Sequence, residues 1–319
     1  MRARAERGGA SSRQKTARLV IAHALLAILA AVILFAPKSR AILKTPEALL
    51  VAIAVIEGLF LLRYLRESRR DGGPGSGPTD IITFVWAAML AWELYTSVTD
   101  KAHPVLIPTP ENVFYTFVEQ WLVMLLNIAY SMELLIIGMM IGLALAVFLG
   151  LFCGWNRRLK AFAYPIANVM APIPAIVISP YLVALMPSFR SASAVVVILG
   201  VFWPQFLSTI NRIGGIEPEI LDSARMLHLS TPSMLFRILL PYLLPGTLMG
   251  LKVTMTTSIL MLNFAELMGA THGMGYYIQN SIVYANYTHA VAGIIVIGVV
   301  VTVISRFVGF LQSRLIKWH

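Results

Sequence analysis

The sequence predicts an all-α membrane protein with about eight transmembrane helices, and three observations carry that prediction. Of its 319 residues, 58% are hydrophobic and 13% charged, against about 25% charged in soluble domains, and mean hydropathy is +0.78. Several apolar runs are continuous over the roughly 18–20 residues a helix needs to cross a bilayer, where a β-barrel would alternate. The net charge of +10 is gathered at the ends of those runs, where membrane topology explains it without nucleic acid.

Residues 1–18 form a basic cytoplasmic tail with Arg2, Arg4, Arg7, Arg13, Lys15 and Arg18 against Glu6. The first span, Leu19 to Ala36, has no small-residue cleavage site and precedes a second long apolar run, so it reads as an uncleaved span. The second runs from Glu47 to Tyr64 and closes on Arg63, Arg66, Arg69 and Arg70. Residues 19–70 are thus a two-helix extension. Residues 71–80 are a flexible linker, because the glycine-rich run from Gly72 to Pro78 lacks the Lys-Ser/Thr and the preceding strand of a phosphate-binding loop.

The core, residues 81–319, opens with a span from Ile81 to Val98. Thr109-Pro110-Glu111 is a helix start, and Phe114, Phe117 and Trp121 suit a helix at the membrane interface. A span follows from Leu125 to Gly154, ending on Arg157, Arg158 and Lys160. It contains Cys153, the one cysteine, which reads as a packing residue. Between Phe162 and Pro187 the apolar run carries Pro165, Pro172, Pro174, Pro180 and Pro187. Interior prolines delete helix hydrogen bonds, and broken backbone survives at membrane depth only inside protein or beside a wet cavity. Pro172, Pro174 and Pro180 are therefore placed near a translocation pathway, the alternative being a kinked packing helix.

The next span covers Ser191 to Ile210, and the segment from Glu217 to Pro245 then interrupts the apolar pattern. Pro218 suits a first helical turn, Ile220, Leu221, Ala224 and Leu227 form an apolar face, and Ser230-Thr231-Pro232 starts a second helix. A short amphipathic helix, a turn at His228 and Leu229 and re-entry into the bilayer at Pro241 follow. Such a helix can seat in a groove of a soluble partner or lie on the lipid surface.

Two last spans cover Leu243 to Ala270 and Ala290 to Phe310. The first places Lys252, Thr256, Ile259, Asn263 and Glu266 on one helical face. A charge at membrane depth costs about 2.5–3.5 kcal/mol on insertion scales, so this face avoids lipid. It lines a pathway or serves as interhelical glue. Glu57, Glu133 and His23 stand alone in their apolar runs. No metal-ligand spacing and no nucleophile–base arrangement is present, so neither metal binding nor catalysis within this chain is indicated.

With the N-terminus in the cytoplasm, the basic tail, the cluster ending at Arg70, Arg157, Arg158, Lys160, Arg212, Arg225, Arg237, Arg314 and Lys317 all fall inside, as do both termini. Lys38, Arg40, Lys44, Lys101 and Arg190 fall outside, the first three as exceptions at the first hairpin.

Asp222-Ser223-Ala224, then His228, then Ile238-x-Leu240-Pro241 keeps the spacing of the cytoplasmic loop of ATP-binding-cassette (ABC) importer permeases. That family's pattern is Glu-Ala-Ala, three residues, Gly, nine residues, Ile-x-Leu-Pro. Leu106 to Glu111, Ala171-Pro-Ile-Pro-Ala175 with Pro180, Leu199 to Pro204, and Ala265-Glu266 through Gly273-Met-Gly-Tyr276 extend the resemblance over residues 81–319. They resemble the nitrate/sulfonate/taurine/bicarbonate branch, which also holds permeases for vitamin-precursor heterocycles.

The resemblance implies a six-helix type I importer core preceded by two extra helices, in a bacterial inner membrane, working as a dimer with a second permease copy. It implies an ABC ATPase dimer that binds ATP and Mg in place of this chain, and an extracytoplasmic solute-binding protein. Glu219, Asp222, Ala224, Arg225, His228 and Leu229 would form the ATPase contact, with Pro172, Pro174, Pro180, Thr256, Asn263 and Glu266 along the pathway. A self-contained ion-coupled secondary transporter is the alternative, with Glu57, Glu133 or Glu266 as its coupling groups.

Overall fold

The computed structural model describes the backbone of residues 2–38, 44–68, 76–99, 101–226 and 229–315. All regular structure among them is helical. Seven helices are long and apolar enough to cross a membrane, and a bent pair supplies an eighth candidate crossing. The chain packs as two compact units, residues 1–121 with 281–292 and residues 122–280 with 293–319.

The first unit holds α1 (Arg2–Phe35), α2 (Glu47–Ser68), α3 (Ser76–Glu93, running into a π-helical turn Leu94–Val98) and α4 (Pro110–Glu119). Arg18 bonds both oxygens of Asp80, at 3.0 and 2.8 Å, and Lys38 binds Glu93. Those two contacts run in the same chain direction, so α1 and α3 are parallel, with α2 between them in sequence. Leu29, Leu49 and Trp86 are fully buried in the core they form.

Glu57 and His23, which the sequence left isolated, meet there: His23 Nε2 lies 3.1 Å from Glu57 Oε1. The indole N–H of Trp86 donates to Glu57 Oε2 at 3.3 Å. Helix α4 starts at Pro110, as Thr109-Pro110-Glu111 predicts, and brings Glu111 to Lys38 at 2.8 Å.

Glu93 and Glu111 are essentially inaccessible, so Lys38 bridges two buried carboxylates. Burial favours the neutral amine, but the hydrogen bonds and charges of Glu111 and Glu93 outweigh it and hold the ammonium above its ordinary 10.5. This contribution to stability is complete at neutral pH and is lost only as pH rises through that raised value. Lys38→Met strands two buried carboxylates and is expected to destabilise the first unit by about 3 kcal/mol. A fall in thermal midpoint of the detergent-solubilised chain checks it.

The second unit is organised by α5 (Trp121–Trp155) and α8 (Phe189–Gly214). Gly138, Gly142, Ala146, Gly150 and Gly154 recur every four residues along one face of α5. A Cβ on Gly138 would stand 2.8 Å from Val197, on Gly142 3.0 Å from Val201, on Gly150 2.7 Å from Thr209 and on Gly154 2.6 Å from Ile213. Only a hydrogen fits, so the backbones approach closely, as small-residue stripes permit in membranes. The offset between partners is constant along roughly 24 Å of helix, so α5 and α8 run parallel.

Parallel neighbours in one bilayer require the chain between them to cross back. Helices α6 (Arg157–Met170) and α7 (Ala175–Leu185) do this despite a 95° bend. Asn156 caps α6, its side chain accepting from the backbone N–H of Arg158 and Leu159. Ala163 and Ala167 pack near Phe206 and Ile210, Ala175 comes near Gly200, and Leu182 reaches Ala192 and Val196. The contacts climb α8 in reverse order, so the pair is a broken span, as the interior prolines predict. Counted as one span, the pair brings the candidate crossings among the described residues to eight.

A short turn α10 (Thr231–Ser233) and a π-helical turn Met234–Leu239 lead into α11 (Leu240–Leu267). Gln205 donates to Thr254 at 2.8 Å and Arg212 to the Gly246 carbonyl at 2.9 Å, so α11 is antiparallel to α8. After α12 (Met274–Val283), α13 (Tyr287–Leu315) returns along α11, with Gln312 donating to the Leu248 carbonyl at 2.6 Å. In this unit the 155–160 turn, the 215–230 segment and the end of α13 therefore share one face. Replacing Gly142 by Leu should cost about 2 kcal/mol or more through overpacking, whereas Gly298, with open space around it, should accept Ala neutrally. Parallel thermal melts compare the two.

Candidate functional site: the 217–230 segment and the α11 polar face

Helix α9 (Pro218–Met226) forms where the proline start signal predicts. Glu217 accepts from the Ile220 N–H at 3.1 Å, and the Ser223 hydroxyl folds back onto the Glu219 carbonyl at 2.7 Å. Ala224 is 4% exposed and joins a cluster with Leu151 of α5, Ile213 of α8, and Leu235, Leu239 and Leu243 at the entry to α11. Leu221 packs against the same cluster.

The opposite side carries Glu219, Asp222 and Met226 to the surface, with Leu229 exposed beyond the helix. Ala224, which the resemblance assigns to a partner contact, also seats the helix on its own chain, where its methyl is enclosed. The His228 turn and the Arg225 side chain lie outside the described residues.

One cluster thus ties α9 to the ends of three transmembrane helices. The π-helical turn Met234–Leu239 lies at this joint, and widened turns of that kind recur at functional positions. A load applied to the outer side of α9 bears directly on the entry to α11.

Along α11 the predicted polar face runs from exposed Lys252, through half-buried Thr256 and Asn263, to buried Glu266. Thr256 lies 3.5 Å from Ser305 of α13, and Ile259 is 3% exposed. Asn263 borders a void of about 10 Å³ with Ser131 and Met132, the size of one water and too small for a solute.

Glu266 is 1% exposed: Ser131 donates to its Oε1 at 2.7 Å and the Gly275 N–H to its Oε2 at 2.8 Å. The Met274 N–H donates to Ser131 Oγ at 2.9 Å, and the Gly273 N–H to Asn127 Oδ1 at 2.8 Å. Gly273 has φ +113°, and a Cβ there would strike the Glu266 carboxylate. These bonds clasp the 268–275 turn to α5. Within the single chain Glu266 is a packing group, while Thr256 and Asn263, the other residues expected along a pathway, are half-buried.

Asn127 and Ser131 escaped the sequence reading; their four-residue spacing, facing a buried acid, was the only signal. Pro172 and Pro174 lie at the α6–α7 break and Pro180 within α7, all three on exposed surface. Glu133, read as solitary, pairs with Arg190.

Glu266→Ala leaves the Ser131 hydroxyl and the Gly275 N–H without their acceptor, at about 1–3 kcal/mol. Its thermal midpoint should fall clearly below that of Glu266→Gln, which retains one acceptor. Equal loss in both would show that the carboxylate bonds do not hold the turn.

Comparison with known proteins places this architecture. The family profile described as binding-protein-dependent transport system inner membrane component matches residues 142–317, more than half of the chain. The Bacillus subtilis aliphatic sulfonates transport permease protein SsuC is 27% identical over 216 residues, covering 67% of this chain and 78% of its own. The Synechococcus elongatus bicarbonate transport system permease protein CmpB is 23% identical over 277 residues, covering 79% and 98%. The Escherichia coli taurine transport system permease protein TauC is 23% identical over 193 residues, covering 60% and 70%. A chain of the inward-facing MetNI methionine ABC transporter matches over 63% of this chain and 97% of its own, at 19% identity and a TM-score of 0.49. With a helical, multi-pass architecture and this profile match, the chain belongs to the family of binding-protein-dependent transport system inner membrane components.

Proposed function

We propose that this chain is the permease subunit of an ATP-driven importer, worked by a separate ATPase that docks on the 217–230 segment. The observation that carries the reading is the seating of α9. Ala224 and Leu221 anchor it to three span ends, while Glu219, Asp222 and Met226 face outward. A surface helix without a load to transmit would not need roots in α5, α8 and α11 together.

The basic residues Arg157, Arg158, Lys160, Arg212 and Arg237 lie on the face that carries this segment, which supports a cytoplasmic assignment for it and for both termini. ATP and Mg belong to the ATPase, and nucleotide-driven closure of an ATPase pair would displace α9 and switch the side to which the cavity opens. The unit operates beside a second permease copy, with an external binding protein delivering the solute. The names of the relatives support a small anion of the sulfonate, nitrate or bicarbonate kind, with a vitamin-precursor heterocycle as the alternative cargo. In a dimer, the exposed prolines at the α6–α7 break are the surface we assign to the pathway.

Co-purification with a candidate ABC ATPase tests the proposal. Glu219→Lys is expected to reduce ATPase recovery at least tenfold while leaving the thermal midpoint of the permease unchanged. Uptake that survives ATP depletion and collapses with the proton gradient would instead make the chain a self-contained secondary transporter.

A further inference from the structure

The end of the second unit remote from the 217–230 segment holds a cleft of about 360 Å³ that the packing roles above do not use. Tyr130 of α5, Ser188, Arg190 and Ser193 at the start of α8, and Thr271 of the clasped turn line it. Arg190 is its cation. Its Nη2 is engaged by Glu133, and its guanidinium lies over the Tyr130 ring at 5.4 Å. Both charged side chains are about half exposed. A guanidinium can grip a planar or tetrahedral oxyanion with two parallel N–H bonds.

Ser193 supplies the second, independent observation. It is 2% exposed and lines the cleft, yet its hydroxyl bonds to none of the described residues. The residue is enclosed but its hydroxyl keeps access to the open volume beside a cation, where a ligand is an available partner. Serine in a helix commonly bonds back to its own backbone; Thr209, Thr247 and Ser258 do so, and Ser193 does not. The volume is at the small end of ligand sites. It suits a compact solute rather than a peptide.

We propose that this cleft receives a small oxyanion, a sulfonate or a comparable carboxylate or nitrate, from the outer side. Arg190 exchanges Glu133 for the incoming anion and Ser193 donates a hydrogen bond to it. Glu133 acts as the resident counter-ion: an exposed pair of this kind is weak, so the anion can displace it. The displaced carboxylate remains nearby and keeps the site from holding its guest tightly, as a transit site requires. The inference rests on the importer reading for its direction, outside to inside, but not for the binding itself.

The test uses the full-length chain in nonionic detergent, with methanesulfonate as the probe and dimethyl sulfone as its neutral control. Binding is read by saturation-transfer NMR. The sulfonate and not the sulfone should bind, Arg190→Gln should weaken it at least tenfold and Ser193→Ala about two- to fivefold. Glu133→Gln should strengthen it about threefold or more, because the competitor is gone; a variant that merely misfolds cannot give that gain.

Unchanged binding in Arg190→Gln, or weakening in Glu133→Gln, overturns the proposal. So does phosphatidylglycerol occupying the site while methanesulfonate fails to bind, which would make it a lipid headgroup site. Because no ATPase is present, the outcome is separable from the importer reading. ATP-dependent uptake with no Arg190-dependent binding sinks only this inference, and Arg190-dependent binding without ATP-dependent uptake sinks only the importer.

Discussion

The close parallel packing of α5 on α8 is the constraint from which the second unit follows. Lipid tails are as apolar as leucine, so helices in a bilayer gain little from hydrophobicity and associate through tight van der Waals contact. The glycine stripe of α5 admits Val197, Val201, Thr209 and Ile213 of α8 at distances that any side chain would forbid. Two neighbours pointing the same way must be joined by a return crossing, and α6 with α7 is that crossing. The bend is therefore a broken span and not a loop dipping in and out of one side. The placement of the 217–230 segment and the end of α13 on one face follows by counting.

Helix α11 packs against both α5 and α8 and is fixed differently at its two ends. Its entry is a π-helical turn packed on α9, and its exit is the Glu266 clasp to Ser131 and the 273–275 backbone. The entry is held by apolar contacts, which tolerate sliding; the exit is held by directional bonds inside a dry interior, which do not. Displacement of α9 would accordingly move the entry of α11 about an anchored far end. Among the described residues that far end also carries the Arg190 cleft, on the opposite side of the turn that Glu266 holds.

Local features of this fold were legible in the sequence and long-range ones were not. Apolar run lengths gave the spans, the proline run gave the α6–α7 break, and Pro110 and Pro218 gave the starts of α4 and α9. Helical spacing correctly put Thr256, Asn263 and Glu266 on one face. It could not say what that face meets, because Ser131 is 135 residues away from Glu266 in sequence. The same gap separated Glu133 from Arg190 and His23 from Glu57: a lone acid in an apolar run says that it needs a partner, not which one. Ala224 is a related case: its methyl is enclosed by its own chain. Spacing identifies a loop motif, but only packing tells which of its residues hold the helix down and which remain outside.

The first unit explains an exception to the charge rule that the sequence alone left standing. Lys38 and Lys44 sit on the side of the first hairpin where basic residues should be scarce. Lys38 is taken up by Glu93 and Glu111, and Lys44 by Glu119 at 3.5 Å and the Tyr115 ring at 4.4 Å. A lysine whose charge is matched in the folded unit serves packing and carries less weight in the charge rule. The acids that match it come from α3 and α4, which belong to the segment resembling importer permeases, whereas Lys38 comes from the connection between α1 and α2. Within this unit the two additional helices are thus joined to the permease-like chain by buried charge and not only by the linker. Removing them would leave Glu93 and Glu111 without their lysine, so the extension is part of how that end of the permease is kept folded.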